Sequence, residues 1–236
     1  MIWDKESITK RLIEIKNKGY LSISPEMFRI DDGIPGQILE REFQVKENNL
    51  CVADLGIFEL KGMRNRKSKS NMTLFHKKPS RGLSVIQIFN RFGYIKKSNR
   101  SDELKRKLFT TIKGTRYNKL GLILRVINDV EIGLYYYEEF ISAWDLRSEK
   151  INQMVFALAN TEGTTGSSEE KFHFTEAYLM YDINDIIPLI REGIVVIDLC
   201  IDQPLNSKKS PHDRGPHIRI STKKLTRLYN KIEQLI

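Results

Sequence analysis

The 236-residue sequence has only two cysteines, Cys51 and Cys200, and each lies in an apolar segment. Two isolated thiols cannot build a disulfide scaffold, and they lack the paired spacing of a zinc site. No apolar run approaches the roughly 18 residues that a membrane-spanning helix needs, and the first residues show no secretion signal. These absences exclude a disulfide-rich secreted protein and predict a cytoplasmic protein with no membrane partner.

Acidic residues are absent between Glu59 and Asp102. This segment holds twelve of the 39 lysines and arginines of a chain whose net charge is +9. Apolar and aromatic residues alternate with the basic ones, which indicates a folded surface and not a charged tail. A long positive segment attracts the phosphate backbone and releases its counterions. The charge pattern therefore favours nucleic acid over an anionic membrane surface as the partner.

The alternation of helix-like and strand-like segments predicts a mixed α/β fold. Helical spacing of apolar residues predicts helices over 4–18, 182–192 and 223–235, and a short helix after the turn at 31–36. Strands are predicted at 50–61, 71–76, 108–113, 120–127, 131–137, 171–180, 194–201 and 217–221. Residues 161–170 are polar and contain glycine, which is typical of a mobile loop.

The tripeptide Glu59-Leu60-Lys61 is the strongest candidate for catalytic chemistry. On a strand, Glu59 and Lys61 share one face while Leu60 points to the other. Asp54 precedes Gly56, where a bend would bring its carboxylate toward Glu59. Two carboxylates bind Mg²⁺, and an adjacent ammonium orients a water, as phosphodiester hydrolysis requires. The pattern predicts Asp54 and Glu59 as metal ligands and Lys61 as a catalytic residue.

Glu-x-Lys occurs four times, and the other copies begin at Glu14, Glu103 and Glu169. Those copies lie in charged or polar segments, which indicates solvated surface. The copy at Glu59 lies on an apolar strand, where a buried charge requires a partner or a metal. A structural ion pair between Glu59 and Lys61 explains the tripeptide equally well.

Two neighbouring features favour catalysis over the structural pair. Glu40 lies fourteen residues before Asp54, on the short helix, and adds a third carboxylate to the candidate site. The basic segment begins directly after Lys61, so a surface that attracts phosphate adjoins the candidate metal site. A DNA-binding protein without catalytic activity does not need this arrangement.

The pattern Asp54…Glu59-Leu60-Lys61 resembles the shortened motif of the PD-(D/E)XK nucleases, although Ala53 stands where that family has proline. With residues 36–40 upstream, the chain is similar to the branch that contains the MutH nickase and the MvaI and BcnI restriction endonucleases. The segments that are most similar to BcnI are 73–77, 86–93, 108–112 and 211–217. The resemblance extends over nearly the whole chain.

This resemblance implies a type II restriction endonuclease that cuts double-stranded DNA as a monomer, nicking each strand in turn at one Mg²⁺-dependent active site. It implies a CCNGG-type target, with G or C at the centre as for BcnI, and a cognate DNA methyltransferase as genetic partner. The implied fold is a PD-(D/E)XK core, a mixed sheet flanked by helices, in a two-lobed DNA clamp. Residues 1–115 would be mainly catalytic, and residues 116–236 would mainly recognise DNA.

The resemblance also implies roles for individual catalytic residues. Asp54 and Glu59 would hold the metal, and Lys61 would act on the attacking water. Glu40 would be an auxiliary carboxylate. The expected products carry a 5′-phosphate.

DNA contacts are implied for a second set of residues. Arginine bonds guanine O6 and N7, and aspartate accepts from cytosine N4. The residues predicted to contact base edges are Asp213, Arg214 and Arg219. The candidates for the central base pair are His76 and His217. The other predicted DNA contacts, which include the side chains that position phosphates, are Arg64, Arg66, Lys67, Lys77, Lys78 and His212.

Two other functions fit the sequence. A repair nickase similar to MutH would need a partner protein and leave only single-strand breaks, whereas a restriction endonuclease linearises a plasmid at fixed positions. A basic DNA- or RNA-binding module would use Asp54, Glu59 and Lys61 as a structural cluster. Loss of Lys61 would then change binding or stability, and there would be no cleavage to lose.

Overall fold

The computed structural model describes residues 3–24, 32–45, 53–65, 71–98, 103–148 and 150–236. It divides into two compact units, each built from separate parts of the chain. The first comprises Met1–Lys69, Ser148–Asn184 and Tyr229–Ile236, and the second comprises Ser70–Arg147 and Asp185–Leu228. The expected boundary near residue 115 does not coincide with this division, because strands distant in sequence pair within each unit.

Helices and strands alternate along the described chain, which confirms the mixed α/β fold. The helices are α1 (Lys5–Asn17), α2 (Ile34–Glu42), α3 (Val85–Phe92), α4 (Ile186–Arg191) and α5 (Leu225–Leu228). The strands are β1 (Leu21–Ser22), β2 (Phe58–Arg64), β3 (Asn71–His76), β4 (Arg81–Gly82), β5 (Tyr94–Lys97), β6 (Leu104–Ile112), β7 (Leu122–Val126), β8 (Glu131–Tyr136), β9 (Glu139–Asp145), β10 (Gln153–Glu162), β11 (Lys171–Ile183), β12 (Val195–Pro204), β13 (His212–Asp213), β14 (His217–Ser221) and β15 (Tyr229–Gln234). None of the described helices combines the length and apolarity needed to cross a membrane.

The sheet of the first unit has the strand order β1-β11-β10-β2, with β15 also paired to β11. It is mixed, because β10 runs parallel to β2 and antiparallel to β11. α1 buries Ile8, Leu12 and Ile15, whose spacing places them on one helical face. Phe58 and Leu60 of β2 belong to the same core. Since side chains alternate along a strand, the other face of β2 carries the polar residues.

The second unit contains two sheets. One has the order β3-β14-β12-β6-β5, with β13 paired to β12, and the other has the order β4-β9-β8-β7. β12 lies inside the larger sheet and turns one fully buried face to the core, formed by Val195, Ile197, Leu199 and Ile201. The alternate residues of β12 therefore lie on the opposite, more polar face.

The helix predicted over 223–235 is wrong for most of its length. Only Leu225–Leu228 is α-helical, and Tyr229–Gln234 forms β15, which pairs with β11. Tyr229 is buried, and its hydroxyl donates a hydrogen bond to the Ile151 carbonyl at 2.7 Å. The available sheet edge and this buried contact override the local helical spacing of the apolar residues.

Candidate active site and DNA-contact residues

Glu59 and Lys61 lie side by side on β2, on the face opposite the core residues Phe58 and Leu60. The Lys61 ammonium donates a hydrogen bond to Glu59 Oε1 at 2.5 Å. The Glu59 side chain is 1% exposed, whereas that of Lys61 is 23% exposed. The predicted shared face is therefore confirmed, and the ammonium is the member of the pair that reaches solvent.

Asp54 lies in a tight turn that leads into β2. Gly56 has a φ of +78°, a conformation that glycine adopts without strain. Asp54 Oδ2 accepts a hydrogen bond from the backbone N–H of Leu60 at 3.0 Å. The expected bend therefore brings the carboxylate onto β2. Of the predicted strand 50–61, residues 50–52 lie outside the described residues, and from residue 53 onward regular pairing starts at Phe58 because this turn precedes it.

Burial dominates the electrostatics of Glu59 and raises the pKa of its carboxyl. The Asp54 carboxylate adds to this rise in pKa, whereas the ammonium groups of Lys61 and Lys150 oppose it. Among the described residues, Glu59 Oε2 has no hydrogen-bond partner, although Lys150 Nζ forms an ion pair with it at 3.3 Å. A buried carboxylate with a perturbed pKa, an unsatisfied oxygen and two ammonium neighbours is typical of a functional site.

α2, which carries Glu40, packs its backbone directly against β2. A Cβ atom at Gly62 would lie 2.6 Å from the Pro35 carbonyl oxygen, so this approach requires glycine. Glu40 follows Gly36 by four residues, on the same helical face, and is half-buried. The fold thus brings the helix of Glu40 to the residue directly after Lys61. The auxiliary role of Glu40 stays a prediction.

Arg64, a predicted DNA contact, is buried at the end of β2. Its Nε and Nη2 donate to the two carboxylate oxygens of Glu170, each at 2.7 Å. Its Nη1 donates to Asp32 Oδ1 at 3.2 Å, and its guanidinium lies 5.2 Å from the ring centroid of Phe172. Glu170 is fully buried, so the solvated surface predicted for its tripeptide is wrong at this position. These contacts favour a structural role for Arg64 over a phosphate contact.

His76 and His217, the candidates for the central base pair, face each other across β3 and β14. Their ring centroids are 4.4 Å apart. His217 Nε2 lies 3.0 Å from the Arg214 carbonyl oxygen, while its Nδ1 is buried without a hydrogen-bond partner in the described part of the chain. The structure therefore brings the two histidines together, and their role at a base pair stays a prediction.

The two arginines predicted to contact bases are each paired with a carboxylate of β12. Arg219 Nη1 donates to Asp198 Oδ2 at 2.8 Å, and Arg214 Nη2 lies 3.4 Å from Asp202 Oδ2. Arg219 Nη2 also donates to the Asn71 carbonyl at 2.9 Å. Arg214 is exposed, and Arg219 is half-buried. Both arginines belong to the second unit, whereas the candidate catalytic residues belong to the first.

Other predicted DNA contacts differ in exposure. Four are described, namely the exposed His212 and Lys78 and the half-buried Lys77 and Asp213. Lys77 Nζ donates to the Arg147 carbonyl at 2.6 Å, and Asp213 Oδ1 accepts from the Gly215 N–H at 2.8 Å. Two lie outside the described residues, Arg66 and Lys67.

The positive segment is partly neutralised by acids from other strands. Arg81 pairs with Glu131 at 2.9 Å, and Arg91 pairs with Glu139 at 2.6 Å. Charge counting along the sequence misses these pairs because β8 and β9 supply the carboxylates. These two pairs lower the local positive charge of the segment below the value that counting along the sequence gives.

Residues 9–229 match the sequence model of the MvaI/BcnI restriction endonuclease family. The chain belongs to this family. The resemblance to it is thereby confirmed over nearly the whole chain, and membership makes the protein a restriction endonuclease of the MvaI/BcnI type.

Two solved structures of family members have a similar fold. The complex of restriction endonuclease MvaI with its cognate DNA substrate is 18% identical, covers 98% of both chains and gives a TM-score of 0.79. MvaI in the absence of DNA is 18% identical, covers 97% of this chain and 96% of its own, and gives a TM-score of 0.51. Among curated proteins, none matches significantly. At this identity the likeness establishes the fold, and the residue roles stay predictions.

Sequence reasoning missed Lys150 and Tyr229, which the family fold brings to Glu59. Lys150 precedes β10, and Met154 of β10 pairs with Glu59 of β2. Burial and the charge of Glu59 raise the pKa of the Tyr229 hydroxyl. No local pattern distinguishes Lys150 from a surface lysine, and only the parallel pairing of β10 with β2 locates it.

His217 is expected to stay neutral to a lower pH than free histidine, because burial lowers its pKa from 6.5. The Arg219 guanidinium also lowers this pKa, whereas the hydrogen bond to the Arg214 carbonyl and the Asp198 carboxylate oppose the shift. Between the folded pKa and 6.5 the unfolded chain binds more protons, so stability is lost as the pH falls through this window. Urea unfolding of the wild type and of His217→Gln between about pH 5 and 7 measures this slope.

The variant is expected to lose the part of the slope that His217 contributes, whereas His212→Gln at an exposed position keeps it. NMR titration of the imidazole gives the pKa directly. A His217 pKa at or above 6.5 would contradict the prediction.

Proposed function

We propose that the protein is a Mg²⁺-dependent type II restriction endonuclease that hydrolyses double-stranded DNA at a CCNGG-type site with G or C at its centre. It acts as a monomer that nicks each strand in turn, and a cognate methyltransferase protects the host DNA. The observation that carries the proposal is the pair of buried Glu59 and partly exposed Lys61 on β2, with Asp54 folded onto the same strand, in a chain of this family. The cognate DNA substrate bound in the related MvaI structure supports double-stranded DNA as the substrate.

The residues present fit a magnesium ion. Mg²⁺ is usually bound by one or two protein carboxylates and keeps several waters. Asp54 and Glu59 supply two carboxylates, and Glu59 Oε2 is buried with no hydrogen bond in the described structure. The described residues contain no group of three or more His, Cys, Asp or Glu side chains placed to hold a metal. When bound, Mg²⁺ supplies the charge that stabilises the developing negative charge on the scissile phosphate.

Lys61 is the described residue best suited to act on the attacking water. Its ammonium is held by Glu59 Oε1 and remains partly exposed, so it can orient a water without leaving the pair. The water attacks phosphorus in line and releases a proton to solvent, the bond from phosphorus to the 3′ oxygen breaks, and that oxygen takes a proton from solvent. The products carry a 5′-phosphate and a 3′-hydroxyl.

The proposal is tested by incubating phage and plasmid DNA with the protein in Mg²⁺ and, as a control, in EDTA. Discrete fragments and a linearised plasmid are expected in Mg²⁺ only, and sequencing of the ends gives the target. A plasmid that is only nicked would identify a repair nickase. An intact substrate despite tight, salt-sensitive binding would leave a DNA-binding protein without nuclease activity.

Lys150→Met is expected to increase the affinity for a divalent cation about tenfold. Lys150 Nζ forms an ion pair with Glu59 Oε2, so its charge repels a cation on the same carboxylate. An ammonium and a divalent cation about 6 Å apart repel each other by roughly 1.4–5.5 kcal/mol at effective dielectric constants of about 80 to 20, and the lower value corresponds to about tenfold in affinity. Isothermal titration calorimetry with Mn²⁺ measures the affinity without DNA. Lys150→Arg keeps the charge and serves as the control. Equal or weaker binding by the methionine variant would contradict the repulsion.

A further inference from the structure

Asp198 is a buried carboxylate on the polar face of β12. It alternates with core residues Ile197 and Leu199, and its side chain is only 10% exposed. β12 lies between β14 and β6, and Asp198 pairs with His217 of β14 and with Thr111 of β6. A charged residue in the interior of a sheet is retained only where it has a partner or a function.

The partner of Asp198 is Arg219. Oδ2 accepts from Arg219 Nη1 at 2.8 Å, and the second arm of the guanidinium, Nη2, donates to the Asn71 carbonyl at 2.9 Å. These two bonds from β12 and β3 fix the plane of the guanidinium. Among the described residues, each Nη atom has one partner and keeps a second hydrogen, and the side chain is 30% exposed. The guanidinium is therefore both oriented and accessible.

The pair is not optimised for stability. In the described structure, Asp198 Oδ1 and Arg219 Nε are buried without a hydrogen-bond partner, as is Nδ1 of the adjacent His217. Buried polar atoms without partners destabilise a fold, and such departures concentrate at functional sites. Three of them at adjacent positions of β12 and β14 mark this face as a site whose geometry serves a purpose other than folding.

We infer that Asp198 is a positioning residue that holds the Arg219 guanidinium in the orientation that reads one guanine of the target. The inference rests on the proposed function and deepens it by adding a specificity-determining residue. The two free Nη hydrogens match the O6 and N7 acceptors of guanine in the major groove. Fixing a flexible arginine before binding removes part of the entropy lost on recognition. Asp202 repeats the arrangement four residues later on the same strand face, with Arg214 as its partner.

The test compares wild type with Asp198→Asn on the cognate site and on sites with a single substituted base pair. An amide lacks the charge that strengthens the bond to the guanidinium. Discrimination is expected to fall ten- to hundredfold at one G·C pair and to stay unchanged at the others. Arg219→Ala is expected to affect the same pair, and the double variant should lose no more than Arg219→Ala alone.

Asp198→Glu keeps the carboxylate but displaces it by one methylene, so it should also weaken discrimination at that pair while retaining the ion pair. Glu42→Gln, at another buried and paired acid, is the control and should leave specificity intact. Competition binding in EDTA measures base discrimination without cleavage. A wild type that discriminates between sites but does not cleave DNA would overturn the proposed function and leave this inference standing. Unchanged discrimination in both Asp198 variants, with only a loss of thermal stability, would make the pair structural and overturn the inference.

Discussion

Lys61→Met is expected to lower the rate of DNA cleavage by about 10²-fold or more, because the loss of correct positioning of a reacting group costs a rate factor of about that size. Lys61 is the partly exposed member of its pair with the buried Glu59, so the variant removes the one ammonium on β2 that is held at the candidate site and reaches water. Methionine keeps the length and apolar contacts of the side chain. DNA affinity should change little, because one charge among many contributes only a small part of phosphate binding.

Single-turnover cleavage of a plasmid in Mg²⁺ measures this rate, and a gel-shift titration in EDTA measures the affinity. The matched control is Lys171→Met, because Lys171 ends another Glu-x-Lys tripeptide but is exposed on β11. The control should cleave at the wild-type rate. A cleavage rate of Lys61→Met within threefold of the wild-type rate would show that Lys61 takes no part in the reaction. Glu59 and Lys61 would then be a structural ion pair.

The part of the candidate site that can be predicted from sequence is the part encoded in one short segment. Period-two alternation places Glu59 and Lys61 on one face, and Gly56 marks the turn that returns Asp54 to the strand. Each of these relations spans only a few residues. The structure confirms them through the contacts of Lys61 with Glu59 and of Asp54 with the backbone of Leu60.

The residues that sequence reasoning missed depend on pairing between distant strands. Lys150 reaches Glu59 because β10 is parallel to β2, and Asp198 reaches Arg219 because β12 pairs with β14. A single sequence contains no local signal for either register. The same limit explains the C-terminal error, since the pairing of β15 with β11 decides the structure of a segment whose spacing is also compatible with a helix.

Charge patterning has a comparable limit. Arg64 lies three residues after the candidate catalytic tripeptide in a segment without acids, which predicts a phosphate contact. In the structure, its partner is Glu170, more than a hundred residues away. Local charge counting therefore identifies a basic surface but not which of its members are neutralised.

Glu170→Ala is expected to reduce the free energy of unfolding by about 3–5 kcal/mol, the usual effect of removing one partner from a buried ion pair. The glutamate is fully buried, and both of its oxygens accept from the Arg64 guanidinium. Its loss leaves a buried guanidinium that also contacts Asp32, an exposed carboxylate, at 3.2 Å. It also removes the acceptor of the Gly166 N–H, which closes the turn between β10 and β11.

Urea unfolding measures this effect, with Glu169→Ala as the control because that neighbouring side chain is exposed. The control should remain within about 0.5 kcal/mol of wild type. Replacing both Arg64 and Glu170 with methionine should recover most of the loss, because two apolar side chains leave no buried charge unpaired. The double variant also shows whether Arg64 serves only to stabilise the fold or also binds DNA. If it is stable and cleaves DNA normally, Arg64 has no phosphate to contact, whereas stable protein with weakened DNA affinity would return Arg64 to the DNA-binding surface.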